Sequence, residues 1–140
     1  MDLQQISDRL AIEDVLTRYT RAIDSGDWDV LDTVFTPDAA IDYTETGGIA
    51  GSFAEVKPWL AENLPIFPRR MHLLGQVESV VAGDEAEVSA YFHNPMVLPN
   101  PDGSELLVEF GGIYRHTMVR TGDGWRSRRL HEELVWKRGL

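Results

Sequence analysis

Apolar residues recur at Ile6, Leu10, Ile12, Val15, Leu16, Tyr19, Ala22 and Ile23, in steps of one to four residues. That spacing predicts an amphipathic helix from Gln5 to Asp24 with one buried face. Ser25-Gly26 supplies its stop. Asp27 stands where it can cap a short second helix, Trp28 to Phe35, with Trp28, Leu31, Val34 and Phe35 facing inward. Thr36-Pro37-Asp38 breaks the chain, and Ala40 to Thr44 reads as a short strand. Gly47, Gly48 and Gly51 form a loop, after which Ser52 leads into a third helix, Phe53 to Asn63, ended by Pro65 and Pro68. Pro58 predicts a kink or a split within that helix.

The period then changes from the helical repeat to alternation. Met71 to Val81 and Ala86 to Met96 are strand-like runs around a Gly83-Asp84 turn. Pro95, Pro99, Pro101 and Gly103 predict a longer loop. Leu106 to Arg120 and Trp125 to Trp136 are two long strands around Thr121-Gly122-Asp123-Gly124. Helices first and antiparallel strands afterwards define an α+β class, with helices covering one face of a sheet. A curled sheet would enclose, with the helices, a cavity suited to a small molecule.

At 140 residues the chain suits a single domain, residues 1–140, without repeat or linker. The formal charge of −10 opposes the phosphate backbone and argues against nucleic acid as a partner. There is no cysteine, so disulfides, thiolate metal sites and a cysteine nucleophile are excluded, and a reducing cytoplasm is the simplest fit. The start MDLQQISDRL lacks the basic and apolar segments of a signal peptide. No apolar run approaches the roughly 20 residues of a membrane span.

Polar residues at inward positions are the candidates for chemistry, because burying them requires partners. Asp24 continues the apolar face of the first helix at its C-terminal end, where a carboxylate opposes the macrodipole. It is either an exposed acid that ends the helix or a group that something nearby wants. His72 lies in the apolar start Met71-His72-Leu73-Leu74, in alternation with Leu74, where a satisfied structural histidine is the plain alternative to a catalyst. His93, His116 and His131 are scattered without metal-ligand spacing, so no metal is expected. Tyr19 and Tyr43 read first as core residues with satisfied hydroxyls. Arg129, His131 and Glu133 share one face of the last strand, and Arg128, Leu130 and Glu132 the other. Most of these fit a salt-bridged strand surface, and alternation alone does not say which set points inward. The glycine loop has no nucleotide-binding spacing, and no serine stands in a nucleophile-elbow context.

The element order, with Tyr19-x4-Asp24-x2-Asp27-Trp28, Ile41-Asp42-Tyr43 and Arg70-Met71-His72, resembles the SnoaL-like branch of the nuclear transport factor 2-like superfamily. Within it the chain is most similar to the scytalone dehydratase type, grouped with bile-acid 7-alpha-dehydratase and hexachlorocyclohexane dehydrochlorinase. The resemblance spans about residues 3 to 138. It implies a cone-shaped α+β barrel, with a curved antiparallel sheet packed against three N-terminal helices, assembled as a homodimer or homotrimer. It also implies a catalytic Asp24–His72 pair, with Tyr43 and Tyr19 at positions that contact substrate. The second histidine of scytalone dehydratase would fall near Val97 or Leu98, where none stands, leaving His93 and Asn94 as the nearest polar residues.

The expected function is a lyase of dehydratase type, or an isomerase, acting without a cofactor on a small apolar, cyclic, hydroxylated substrate. His72 is the expected base and Asp24 its orienting carboxylate. Tyr19, Tyr43, Asn94, Arg129 and His131 are the expected substrate contacts. A non-catalytic module that binds a small ligand or assembles with a partner is the alternative, since one fold serves many functions. Epoxide hydrolysis is a further alternative that requires Asp42 or Glu133 to face inward. Loops 44–52 and 95–105 are expected to set the pocket's size.

Overall fold

Asp2 starts the first helix. Its carboxylate accepts the Gln5 N–H at 2.8 Å while the Gln5 side chain accepts the Asp2 N–H at 2.8 Å, so two otherwise orphaned donors are satisfied reciprocally. In the computed structural model, which describes residues 1–140, α1 runs Leu3–Ser25 and contains the expected span. Gly26 ends it at φ 73°, a left-handed conformation that suits a residue without Cβ.

The expected second helix is a 3-10 turn, Trp28–Thr33, and Phe35 already begins β1 (Phe35–Asp42). Pro37 biases the residue before it toward extended backbone, so Thr36-Pro37 continues a strand where a break was expected. The pairing of β1 shifts register between Phe35 and Ala40, which places the proline where no ladder bond is lost. A second 3-10 turn, Thr44–Thr46, leads to β2 (Ala50–Ser52) and α2 (Phe53–Asn63). Ser52 and Glu55 form another reciprocal cap, and α2 is one continuous helix through Pro58.

The remaining strands are β3 (Arg69–Arg70), β4 (Leu73–Ala82), β5 (Glu85–Pro99), β6 (Glu105–Thr121) and β7 (Gly124–Arg138). They form one curved, unclosed sheet in the order β2-β1-β7-β6-β5-β3, with β4 also on β5. All pairings are antiparallel except β1 with β7, so the sheet is mixed. The parallel pair arises because the chain passes from β1 through α2 and three hairpin strands before its last strand returns beside the first. β5 extends through Pro95 to Pro99, five residues into the segment expected to be a loop.

The inward face of α1, from Ile12 to Ile23, packs against the concave side of the sheet. Twenty-six buried hydrophobic residues form one core cluster there, drawn from both helices and from four of the seven strands. One polar tie locks the first half of α1 to the β6–β7 hairpin. Asp8 accepts from Arg120 at 2.7 and 3.0 Å and from the Trp125 indole at 3.2 Å. No helix is long and apolar enough to cross a membrane.

Candidate active site

Asp24 sits one residue before the end of α1, where its charge opposes the helix dipole. Arg70 offsets that cost. Its Nε donates to the Ile23 carbonyl at 2.8 Å, its Nη1 to the Phe67 carbonyl at 3.0 Å, and its positive charge acts on Asp24. The helix end and the acid are therefore held by one half-buried cation.

His72 lies in the break between β3 and β4, outside regular strand structure. Its backbone N–H donates to Asp24 Oδ2 at 2.8 Å, and its ring Nδ1 meets Asp24 Oδ1 at 2.5 Å. Both carboxylate oxygens thus fix one residue, and the chain leaves the sheet at His72 to reach them. The His72 side chain is only 2% exposed, against 23% for Asp24. Because Nδ1 faces an acceptor, it carries the proton in the neutral ring, and Nε2 keeps a lone pair. The Tyr114 hydroxyl donates to that lone pair at 2.9 Å.

Around Tyr114 gather two more phenols and one acid. Tyr19 and Tyr43 share a hydrogen bond of 2.5 Å, and Tyr19 meets Tyr114 edge to face at 5.3 Å. Phe92 stacks on Tyr114 at 4.2 Å and fixes the plane of its ring. Burial pushes the hydroxyls of Tyr19, Tyr43 and Tyr114 well above the ordinary phenol value, so all three are donors at neutral pH. Glu132 is buried from β7, and burial raises its carboxyl to about 7 against the ordinary 4.5. A hydrogen bond from the Thr46 hydroxyl, the neighbouring Tyr114 hydroxyl and the nearby His131 oppose that rise, while Glu45 adds to it.

These groups open on a cavity of about 350 Å³. Its apolar wall includes Ile23, Trp59, Leu60, Leu64, Ile66, Phe67, Met96 and Phe110. Its polar wall consists of Tyr19, Tyr43, Thr46, Asn63, His72, Asn94, Tyr114 and Glu132. Asn94 is 7% exposed, and its Oδ1 has no hydrogen-bond partner. No three His, Cys, Asp or Glu side chains converge to hold a metal ion.

Of the residues singled out in the sequence, Tyr19, Tyr43, His72 and Asn94 border this cavity, with Asp24 directly behind His72. Arg129 and His131 do not. Arg129 is exposed, and His131 bonds Glu45 at 2.5 Å and Asp42 at 3.4 Å outside the cavity. His93 also lies outside, bonded to Glu109 at 3.1 Å. Asp42 is occupied by Thr44, and Glu133 pairs with Arg115, so neither acid needed for epoxide chemistry faces the cavity. Loop 44–52 supplies Thr46, Gly47 and Gly48 to the wall. The other loop expected to shape the pocket contributes only Met96, and the connection after α2 takes its place.

Tyr114 and Glu132 were not among the expected site residues. The reason for Glu132 is a bulge. Thr117 pairs with Arg129 but Met118 pairs with Ser127, leaving Arg128 unpaired. Trp125 and Ser127 face inward before the bulge, and Leu130 and Glu132 after it. The inward set therefore changes from odd to even numbers, and Arg129 and His131 turn outward.

The family model for the SnoaL-like domain matches residues 4–131. The chain belongs to the SnoaL-like family. It is 44% identical to the uncharacterized protein Rv2910c of Mycobacterium tuberculosis, over 99% of this chain and 92% of that protein. Its fold matches the Kfla4162 protein of Kribbella flavida with a TM-score of 0.87 at 23% identity, covering 96% and 95% of the two chains. It also matches the hexachlorocyclohexane dehydrochlorinase LinA-type3 of Novosphingobium barchaimii, with a TM-score of 0.82 at 17% identity, covering 100% and 94%. The SnoaL-like fold houses dehydratases, isomerases and cyclase-like enzymes.

Proposed function

We propose that this SnoaL-like protein is a lyase of dehydratase type, or an isomerase, that uses His72 as a base on a small cyclic hydroxylated substrate and needs no cofactor. The observation that carries the reading is the position of His72, which borders the cavity with Nδ1 tied to Asp24 and Nε2 meeting the Tyr114 hydroxyl. Asp24 fixes the tautomer and stabilises the imidazolium formed when Nε2 takes a proton from carbon. Neutral Tyr19 and Tyr43 share one proton between their oxygens, which leaves the other hydroxyl proton free to meet a carbonyl oxygen as it gains charge. Asn94 presents a further polar contact for the substrate. A cavity of about 350 Å³ with a largely apolar wall suits a molecule of one or two rings.

Assembly as a homodimer or homotrimer belongs to the same proposal. Exposed Tyr91, Leu107, Val135 and Trp136 on the strands support it, and a monomer mass in sedimentation would count against it. The test of the activity is a panel of cyclic β-hydroxy ketones screened for loss of water by mass spectrometry. Asp24→Asn and His72→Ala are expected to slow turnover about 100-fold or more. Unchanged turnover in both variants would end the lyase reading, whereas binding without turnover would favour a ligand-binding module.

A further inference from the structure

Resting on the base role given to His72, we propose that Glu132 is the second acid–base group of the site and exchanges one proton with His72 through the Tyr114 hydroxyl. Tyr114 has one hydroxyl proton and faces two acceptors. Nε2 of His72 lies 2.9 Å from its oxygen, and Glu132 stands directly opposite Tyr114 in the β6–β7 register, with both side chains on the cavity wall. When His72 is neutral, Tyr114 donates to Nε2, and its oxygen is free to accept from a protonated Glu132. When His72 is protonated, Nε2–H donates to the Tyr114 oxygen, and the Tyr114 proton turns to the Glu132 carboxylate. Each arrangement satisfies every group and holds the same single extra proton. With that proton missing, Nε2 and the carboxylate compete for the Tyr114 proton, and only the Thr46 hydroxyl still donates to Glu132. With a second one, the Tyr114 oxygen has two donors and its own proton has no acceptor. The low dielectric of the site sharpens these differences.

The surroundings favour a carboxyl that keeps its proton. Glu132 faces Glu45 and the Thr46 hydroxyl from the 3-10 turn, Tyr43 from the end of β1, and Tyr19 from α1; only His131 beside it offers positive charge. His72 faces Asp24, with Arg70 behind that carboxylate. One end of the relay thus lies near a cation-supported carboxylate and the other among neutral and acidic groups.

In an elimination the protons balance as follows. Tyr114 first turns its hydroxyl off Nε2, whose freed lone pair takes the proton from carbon as that C–H electron pair moves toward the carbonyl. The pair returns to form the C=C bond as the C–O bond breaks, and the departing hydroxyl takes the Glu132 proton and leaves as water. The imidazolium proton then passes to the Tyr114 oxygen while the Tyr114 proton passes to Glu132, which restores the starting site. His72 need not deliver the proton it removed.

The test is a nuclear magnetic resonance titration of the ligand-free protein carrying ¹⁵N-histidine and ¹³C-glutamate. The Glu132 carboxyl and the His72 ring are expected to titrate as a coupled pair, and Glu132→Gln is expected to move the His72 curve by about one pH unit or more. Tyr114→Phe keeps the ring and removes the bridge, so it should uncouple the two curves even if Glu132→Gln fails to fold. Titration of Glu132 in the ordinary carboxylate range, with His72 unmoved in both variants, would overturn the relay and leave His72 as base untouched. The base reading fails separately if His72 Nδ1 proves to be the unprotonated nitrogen in the neutral ring.

Discussion

Glu132→Gln separates the charge of a buried group from its shape. The wild-type carboxyl keeps its proton up to about pH 7, whereas in the unfolded chain it loses that proton near the ordinary 4.5. Between those values the folded state binds more protons than the unfolded state, so stability falls as pH rises. The contribution is fully present below 4.5 and is lost as pH passes through about 7. Each pH unit in the window costs about 1.4 kcal/mol, which gives a total near 3 kcal/mol. Glutamine does not titrate. The variant should therefore gain about 3 kcal/mol on the wild type between acid and mildly alkaline pH, apart from the change in the coupled His72, since the other titrating groups are shared. Urea unfolding followed by tryptophan fluorescence measures the difference, because Trp125 is buried and Trp59 borders the cavity. A difference that stays flat across the window, or that favours the wild type as pH rises, would refute the reasoning.

Gly112→Ala would bring a Cβ to 2.0 Å from the Glu133 carbonyl oxygen and 2.8 Å from the Phe92 ring. Because backbone cannot yield there, thermal denaturation should show a loss of about 3 kcal/mol or failure to fold, and an unchanged midpoint would contradict this. Tyr19→Phe and Tyr43→Phe each leave a buried hydroxyl alone at a cost of about 1–3 kcal/mol. The double variant should cost less than the two together, and strict additivity would show that the 2.5 Å contact carries no coupling. Hydrogen bonds from Arg120 lower Asp8 from 3.8 to about 2, so its stabilisation is present above 3.8 and lost as pH falls through 2. Asp8→Asn should flatten the acid limb of unfolding followed by circular dichroism, and parallel acid limbs would contradict the assignment.

Much of this molecule is legible along the chain because its periodicities are clean. The steps along α1, Ser52 before α2 and the Gly83 and Gly122 turns mark elements whose local chemistry agrees with the final fold, whereas Asp27, expected as a cap, makes no side-chain cap bond. The second helix failed as an expectation because Val34-Phe35-Thr36 suits a strand and Pro37 continues it, which outweighs the inward spacing of Trp28 and Leu31. The site was legible in proportion to how local its signals are. Asp24 stood out as an acid on an apolar face at the wrong end of a helix, and Arg70 and His72 explain it. Glu132 was hidden because one unpaired residue, Arg128, reverses the parity of the strand that carries it. Tyr114 was hidden differently: an inward tyrosine on a long strand looks like core until His72 meets its hydroxyl from another part of the chain.

The central claim is that His72 removes a proton from carbon with Asp24 behind it. Deuterium uptake from D₂O at the carbon beside the carbonyl of a converted ketone, read by mass spectrometry, tests it most directly. Wild-type protein is expected to introduce deuterium at one position. Asp24→Asn should slow the exchange, and His72→Ala should reduce it about 100-fold or more. Exchange at the wild-type rate in His72→Ala would contradict the account.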